Sequence, residues 1–190
     1  MQGRESTMPP IDVWESFFDP VGVIAALSAS RINGDVVEFG SGYGTFTIPM
    51  AARTSGTVYA LEIDPLMVTA TVARAARAQS RNIVVEQRDF IVDGSGRDAA
   101  STSFALLFNI LHVEDPVSLL REVHRVLERG GRVGVTHWIH DARTPRGPSL
   151  EIRPRAEQCR AWGEEAAFSC VWQGHLPGSP WHWGMVLERG

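Results

Sequence analysis

The chain has 190 residues, of which 44% are hydrophobic and 21% are charged, and its formal net charge is −4. This composition predicts one globular domain, residues 1–190, with a sizeable core. The acidic balance and the lack of a basic cluster exclude nucleic acid and anionic membranes as favoured partners, and no apolar stretch has the length of a membrane span. We therefore expect a cytoplasmic protein that binds a small molecule.

Residues 8–34 are expected to form two short helices ahead of a sheet. Asp12 is expected to cap the first helix, whose apolar face includes Trp14 and Phe18. An Asp-Pro pair at positions 19 and 20 opens the second helix, because aspartate is a good helix cap and proline suits the first helical position. This segment is a helical lead-in to the rest of the chain.

Residues 35–140 alternate between apolar strand segments and amphipathic helices. We expect five strands, at residues 35–39, 57–62, 82–87, 104–109 and 132–138. Between them the sequence predicts helices at residues 45–53, 64–79 and 115–127. The pair Gly130-Gly131 is expected to stop the last helix. This alternation predicts a parallel sheet with right-handed crossovers and helices on both faces.

Residues 141–190 differ in character from the preceding core. A proline-rich loop of about fourteen residues, of a length typical of lids and binding loops, precedes a helix at residues 156–167. Two strands, at 168–173 and 181–187, should form an antiparallel pair at one end of the sheet. The predicted fold is α/β and doubly wound, with a mostly parallel seven-stranded sheet and an antiparallel last strand. The two cysteines, Cys159 and Cys170, are expected to be buried free thiols.

The first predicted strand is followed by three glycines at alternate positions, Gly40, Gly42 and Gly44. A strand, a tight turn and a helix start in this order expose backbone N–H groups to a polar ligand. Glu62 follows Gly42 by twenty positions, about the separation at which an acid on the second strand binds a ribose diol. Thr45 occupies the position where a dinucleotide fingerprint needs its third glycine. The ligand should therefore contain a nucleoside.

Five segments in this order resemble the class I S-adenosylmethionine-dependent methyltransferases over about residues 35–140. They are Val37–Gly44, Leu61–Pro65, Arg88–Phe90, Leu107–His112 and the pair Gly130-Gly131. The predicted terminal strand pair also fits the seven-stranded sheet of that family. The resemblance implies S-adenosylmethionine as cofactor and methyl transfer to a small-molecule acceptor that the sequence does not identify.

The resemblance also implies a set of cofactor contacts. Glu38 would act near the amino group of the methionine part, Glu62 would bind the ribose hydroxyls, and Asn109 would lie beneath the methionine part. Asp89 would accept a hydrogen bond from the adenine amino group, and Phe90 would line the ring. The full implied set is Glu38, Gly40, Ser41, Gly42, Gly44, Glu62, Ile63, Asp89, Phe90 and Asn109.

Methyl transfer from a sulfonium does not by itself require a catalytic side chain. The main task of the enzyme is to align the nucleophile, the methyl carbon and the sulfur, and a base is needed only where the nucleophile must lose a proton. His112, three positions after Asn109, is the candidate for a base or a substrate contact, because it follows the fourth strand and because histidine as a residue type suits proton transfer at neutral pH. A packed or exposed loop histidine is the competing interpretation. Four residues are candidates for an acceptor pocket under the proline-rich loop: Trp14, Phe18, His137 and Trp138.

Two other functions stay open from the sequence alone. One is a dinucleotide-dependent oxidoreductase, against which Thr45 counts, and the other is a cofactor-binding module without turnover. No metal site is expected, because no Cys or His completes a metal-ligand spacing around the two cysteines. A homodimer is left open.

Overall fold

The computed structural model of the chain describes residues 8–190, and its centre is a single sheet. The seven strands are β1 (Val36–Phe39), β2 (Val58–Glu62), β3 (Ile83–Gln87), β4 (Thr102–Phe108), β5 (Leu127–Trp138), β6 (Phe168–His175) and β7 (His182–Arg189). They lie in the order β3-β2-β1-β4-β5-β7-β6. Strands β1 to β5 run parallel, and β7 is inserted antiparallel between β5 and β6. The predicted fold class is confirmed.

Six helices connect and cover the strands of the described part of the chain. They are α1 (Ile11–Glu15), α2 (Pro20–Ser28), α3 (Thr47–Arg53), α4 (Pro65–Arg77), α5 (Pro116–Val126) and α6 (Ala156–Glu165). Between residues 8 and 190, no helix is both long and apolar enough to cross a membrane.

The core forms two layers because alternate residues of each strand face opposite sides of the sheet. Val37 and Phe39 of β1 pack in the cluster that includes side chains of α5 and α6. Val36 belongs to the opposite cluster, which includes side chains of α2 and α3. Glu38, two positions after Val36, faces α3 as well, where it meets Thr47. A carboxyl group is thus buried on the α3 side of the central strand.

Three helices begin with the predicted aspartate cap. The carboxylates of Asp19, Asp64 and Asp115 accept hydrogen bonds from backbone N–H groups in the first turns of α2, α4 and α5, at 2.8–3.0 Å. The prediction for Asp12 is wrong, because α1 begins at Ile11 and places Asp12 inside its first turn. Pro10 precedes Ile11 in an extended conformation and takes the capping position, with no side-chain cap.

Two further predictions need correction. Strand β5 begins at Leu127, directly after α5, and therefore contains the glycines that were expected to separate the two elements. Leu127 pairs with Thr102, and an irregularity in the pairing then accommodates the glycines, with Gly130 at φ +75°. Of the two thiols, Cys159 is buried as expected, whereas Cys170 is only half-buried, because it lies on the outer strand β6.

Candidate functional site

A cavity of about 810 Å³ lies at the carboxyl ends of β1 to β5. Most of the residues selected from the sequence line it. They are Trp14, Gly40, Ser41, Gly42, Glu62, Ile63, Asp89, Phe90, Asn109, His112 and Trp138. Four selected residues are not part of the lining: Phe18, Glu38, Gly44 and His137. The topology brings the chemistry-bearing strand ends to one edge of the sheet, where ligands bind in open α/β folds.

The turn after β1 requires glycine for its backbone conformation. Gly40, Gly42 and Gly44 have φ values of +80°, +52° and +73°, a region that side chains with a Cβ disfavour. A Cβ on Gly44 would also come within 2.9 Å of the Thr71 side chain. The Thr71 hydroxyl donates to the carbonyl of Gly42 at 2.8 Å and ties the turn to α4.

Glu62 holds the end of β2 against this glycine turn. Its carboxylate accepts from the backbone N–H of Gly42 at 2.8 Å, and from those of Ile63 and Asp64 at 2.8 and 3.0 Å. A carboxylate offers about four acceptor positions, so these three bonds leave capacity for a ligand hydroxyl. The same side chain can therefore shape the turn and bind a diol.

On the side of the cavity toward β3, the lining combines apolar side chains with the carboxylate of Asp89. Phe90 packs edge-on against Phe39, with ring centroids 5.4 Å apart. The Asp89 carboxylate accepts from the backbone N–H groups of Ile91 and Val92 at 3.2 and 3.3 Å. Ile63 at the end of β2 completes this wall. An apolar ring edged by an acceptor is the chemistry that recognises a planar base with an amino group.

Two residues of the cavity lining carry buried polar groups that lack a partner in the described part of the chain. Both amide atoms of Asn109 and the hydroxyl of Ser41 are buried and have no hydrogen-bond partner among residues 8–190. Asn109 also has φ +56°, while its own N–H donates to the Thr136 carbonyl at 2.8 Å. Buried polar atoms usually have partners, so within the described part of the chain these groups are available to a polar ligand. They fit the amino-acid part of a nucleoside cofactor.

A buried histidine pair stands beside Asn109. Nδ1 of His112, which lines the cavity, lies 3.2 Å from Nε2 of His137 on β5. Burial, with the nearby charges of His112 and His182, lowers the pKa of His137 well below its usual range. Burial and the charge of Arg153 lower the pKa of His182 to about 3. His137 and His182 are therefore neutral at physiological pH.

Glu38 lies behind the glycine turn, outside the cavity lining. It is 2% exposed, and its carboxyl accepts from the Thr47 hydroxyl at 2.5 Å. Burial raises the pKa of Glu38 to about 8, against the lowering effect of Thr47, and the charge of Glu62 raises it further. At neutral pH this side chain is mainly a neutral acid.

The loop between β5 and α6, residues 139–155, closes the far end of the cavity around one buried side chain. Arg153 donates to the carbonyl of Pro148 at 2.6 and 3.0 Å and to that of Ile139 at 3.1 Å. Its other contacts are the carbonyls of Asp141 and Arg146 and the hydroxyl of Thr144. The loop thereby places Arg146, Gly147 and Pro148 in the cavity wall.

Sequence reasoning missed several residues of this site. Phe46 and Phe108 line the cavity, and their rings meet edge-on at 4.6 Å. Phe108 is the last apolar residue before Asn109, so its place at the strand end was a usable signal. Arg146 and Arg153 left no signal, because both lie in a loop without periodicity.

A doubly wound sheet with a glycine turn after β1 and an acid at the end of β2 defines a Rossmann-like nucleotide-binding fold. A sequence model described as a methyltransferase domain matches residues 36–131. The chain belongs to this methyltransferase domain family, and it is an S-adenosylmethionine-dependent methyltransferase. This confirms the function and cofactor expected from the sequence and decides against the dinucleotide-dependent oxidoreductase.

Solved structures with the same fold share little sequence with the chain. A SAM-dependent methyltransferase from Aquifex aeolicus is 18% identical, with a TM-score of 0.79 and 90% of each chain covered. The YcgJ protein from Bacillus subtilis is 13% identical, with a TM-score of 0.68 and coverage of 90% of this chain and 98% of that one. The [4+2]-cyclase SpnF is 14% identical, with a TM-score of 0.74 and coverage of 89% of this chain and 79% of that one. Comparison with curated proteins gave no significant match.

Proposed function

We propose that the chain transfers the methyl group of S-adenosylmethionine to a small-molecule acceptor bound at the β4–β5 side of the cavity. The observation that carries this proposal is the buried amide of Asn109, which has no hydrogen-bond partner among residues 8–190 and lines the same cavity as the glycine turn and His112. When bound, the cofactor supplies a methyl group attached to a sulfonium sulfur. After transfer, the rest of the cofactor is a neutral thioether.

The proposed cofactor contacts follow the side chains that face the cavity. Glu62 would hold the ribose hydroxyls with its remaining acceptor capacity, and Asp89 and Phe90 would hold the adenine. Asn109 and Ser41 would gain partners from the amino-acid part. Glu38 would act on the cofactor amino group through the turn that covers it, since it is not part of the lining.

The main contribution of these residues is alignment in a site that excludes water. Effective molarities for well-aligned reactants account for roughly 7–11 kcal/mol of barrier. His112 stands where an acceptor would lie and is the proposed base or acceptor contact. Trp14 and Trp138 are the proposed acceptor-binding rings. Phe18 would support Trp14 from behind, and His137 would support His112.

Other features support a free small molecule as the acceptor and a reducing compartment. The net charge of −4 does not favour a polyanion such as nucleic acid. The cysteines, Cys159 and Cys170, are both free thiols, as in proteins of the cytoplasm. We propose a cytoplasmic location on that ground. The outer strands β3 and β6 are sheet edges at which a homodimer would pair.

Calorimetric titration tests the proposed cofactor site. We expect the protein to bind S-adenosylmethionine and not NAD, and Glu62→Ala to weaken binding roughly 10- to 100-fold, because hydrogen bonds to charged groups contribute about 1.5–3 kcal/mol. Glu62→Gln keeps one acceptor oxygen and should therefore lose less affinity for S-adenosylmethionine than Glu62→Ala. Glu164→Ala, an exposed acid on α6, is the matched control. Equal affinity in Glu62→Ala and the control would refute the assignment, and binding without methyl transfer to any acceptor in a screen would favour a module without turnover.

A further inference from the structure

The two sides of the cavity differ in charge. The acidic side chains in its lining, Glu62, Asp64 and Asp89, all follow β2 or β3. The other side, which we call the acceptor half, comprises Trp14, Phe46, Phe108, His112, Trp138 and Arg146. Among the described lining residues of the acceptor half there is no carboxylate, and Arg146 is the one permanently charged group. Among the lining residues between positions 8 and 190, this half therefore offers a positively charged acceptor no counter-ion.

The body of the acceptor half is built from aromatic rings. Trp14 packs on Phe18 with ring centroids 4.8 Å apart, and Phe18 in turn meets Phe46 at 5.1 Å. The ring centroids of Trp138 and His182 are 4.1 Å apart, and those of His182 and Phe18 are 4.4 Å apart, with both pairs tilted. Phe18 and His182 thus connect, from behind the lining, the rings that reach the cavity. Those lining rings, Trp14, Phe46, Phe108 and Trp138, make this side largely aromatic and apolar, which suits an aromatic ligand.

The loop that carries Arg146 is a fixed part of this wall. Arg153 donates to backbone carbonyls along residues 139–148, and Gly147, at φ +118°, is so close to Trp138 that a Cβ would lie 2.9 Å from the indole. The indole is 2% exposed beneath this cover. The loop therefore packs directly on Trp138 and closes the acceptor half at this end.

The polar groups of the acceptor half lie at its border with the cofactor. His112 follows Asn109 by three residues, and its Nδ1 is within hydrogen-bond distance of Nε2 of His137. His137 is buried and neutral, so its Nε2 can accept the Nδ1 proton of His112. In that arrangement Nε2 of His112 carries a lone pair and can take up a proton.

We propose, building on the proposed methyl transfer, that the acceptor is a planar aromatic compound whose hydroxyl group is methylated and gives its proton to His112. The hydroxyl oxygen forms the bond to the methyl carbon as the carbon–sulfur bond breaks and leaves its electron pair on sulfur. The hydroxyl proton passes to Nε2 of His112 and then to water. His137 is a positioning residue that receives the other N–H of His112.

Three compounds of matched size test the acceptor class by calorimetry. The protein is first saturated with S-adenosylhomocysteine, and 2-naphthol, 2-naphthylmethylamine and decahydro-2-naphthol are then titrated separately. We expect 2-naphthol to bind at least tenfold more tightly than the cationic amine and the saturated alcohol. Equal or tighter binding of either competitor, or no binding of 2-naphthol, would overturn the acceptor class alone. Failure of S-adenosylhomocysteine to bind would overturn the proposed function and this inference with it.

Variants test the individual roles. Trp14→Ala should weaken 2-naphthol binding at least fivefold and leave S-adenosylhomocysteine affinity unchanged, with partial recovery in Trp14→Phe. Trp162→Ala is the control, because Trp162 is a half-buried tryptophan on α6 away from the cavity. His112→Asn should retain 2-naphthol binding but form its methyl ether at least a hundredfold more slowly, as measured by mass spectrometry. Unchanged binding in Trp14→Ala, or an unchanged rate in His112→Asn, would contradict the proposal.

Discussion

The buried acid Glu38 makes the stability of the fold depend on pH in a predictable direction. Burial raises the pKa of Glu38 from 4.5 to about 8 in the folded protein. In the unfolded chain the carboxyl ionises near its ordinary value, so the unfolded state releases a proton at lower pH than the folded state does. The contribution of Glu38 to stability is fully present below pH 4.5 and is lost as the pH rises to about 8.

The size of this loss follows from the displacement of the pKa. At about 1.4 kcal/mol per pKa unit, the rise in the pKa of Glu38 from 4.5 to about 8 corresponds to a loss of about 5 kcal/mol in the free energy of unfolding. Glu38→Gln removes the titration but keeps an oxygen that can accept from the Thr47 hydroxyl. The variant should therefore match the wild type near pH 4 and exceed its free energy of unfolding by several kcal/mol at pH 8.5.

Urea unfolding of the two proteins at pH 4, 6 and 8.5 measures this difference. Glu164→Gln is the control, because its ion pair with Arg160 is exposed and should change stability by less than about 1 kcal/mol. A difference between wild type and Glu38→Gln that stays constant across the pH range would refute the reasoning, because it would mean that Glu38 ionises alike in both states.

Two further predictions concern the backbone at the cavity. Gly42→Val should lower the free energy of unfolding by roughly 1–3 kcal/mol, because valine is strained at φ +52°, and should weaken S-adenosylmethionine binding at least tenfold. Unchanged affinity by calorimetry would place the site elsewhere. Arg153→Ala removes the donors that hold residues 139–148, so trypsin should cut this loop at least tenfold faster than in the wild type. A rate equal to that of the exposed control Arg160→Ala would show that the loop is held by other contacts.

Local signals in the sequence predicted which helices and strands form better than they predicted where each one begins and ends. The Asp-Pro pairs at the starts of α2, α4 and α5 worked because the cap and the proline act within one turn. Asp12 failed because the preceding proline supplied an earlier start. Strand β5 extended through Gly130 because its pairing with β4 depends on Thr102, which lies 25 residues before Leu127 in the chain. Such pairing leaves no trace in the local pattern.

The same distinction separates the predicted and missed residues of the site. Residues at strand ends, such as Glu62 and Asn109, could be selected because the parallel topology brings strand ends together. Arg153 could not, because its function depends on which carbonyls a loop folds back to present. The depth of Glu38 behind the turn was also invisible, since an acid beside glycines has the same sequence whether it faces the ligand or α3. The roles of these residues stay predictions.

The insertion of β7 between β5 and β6 has a consequence for the order in which the enzyme matures. The glycine turn, Glu62 and Asp89 lie within one continuous stretch that ends before β4. The wall around Trp138, in contrast, is complete only when the C-terminal hairpin of β6 and β7 docks and brings His182 against the indole. During synthesis the residues at the ends of β1 to β3 therefore emerge from the ribosome well before the hairpin that completes the wall around Trp138, so the acceptor half is the last part of the cavity to form.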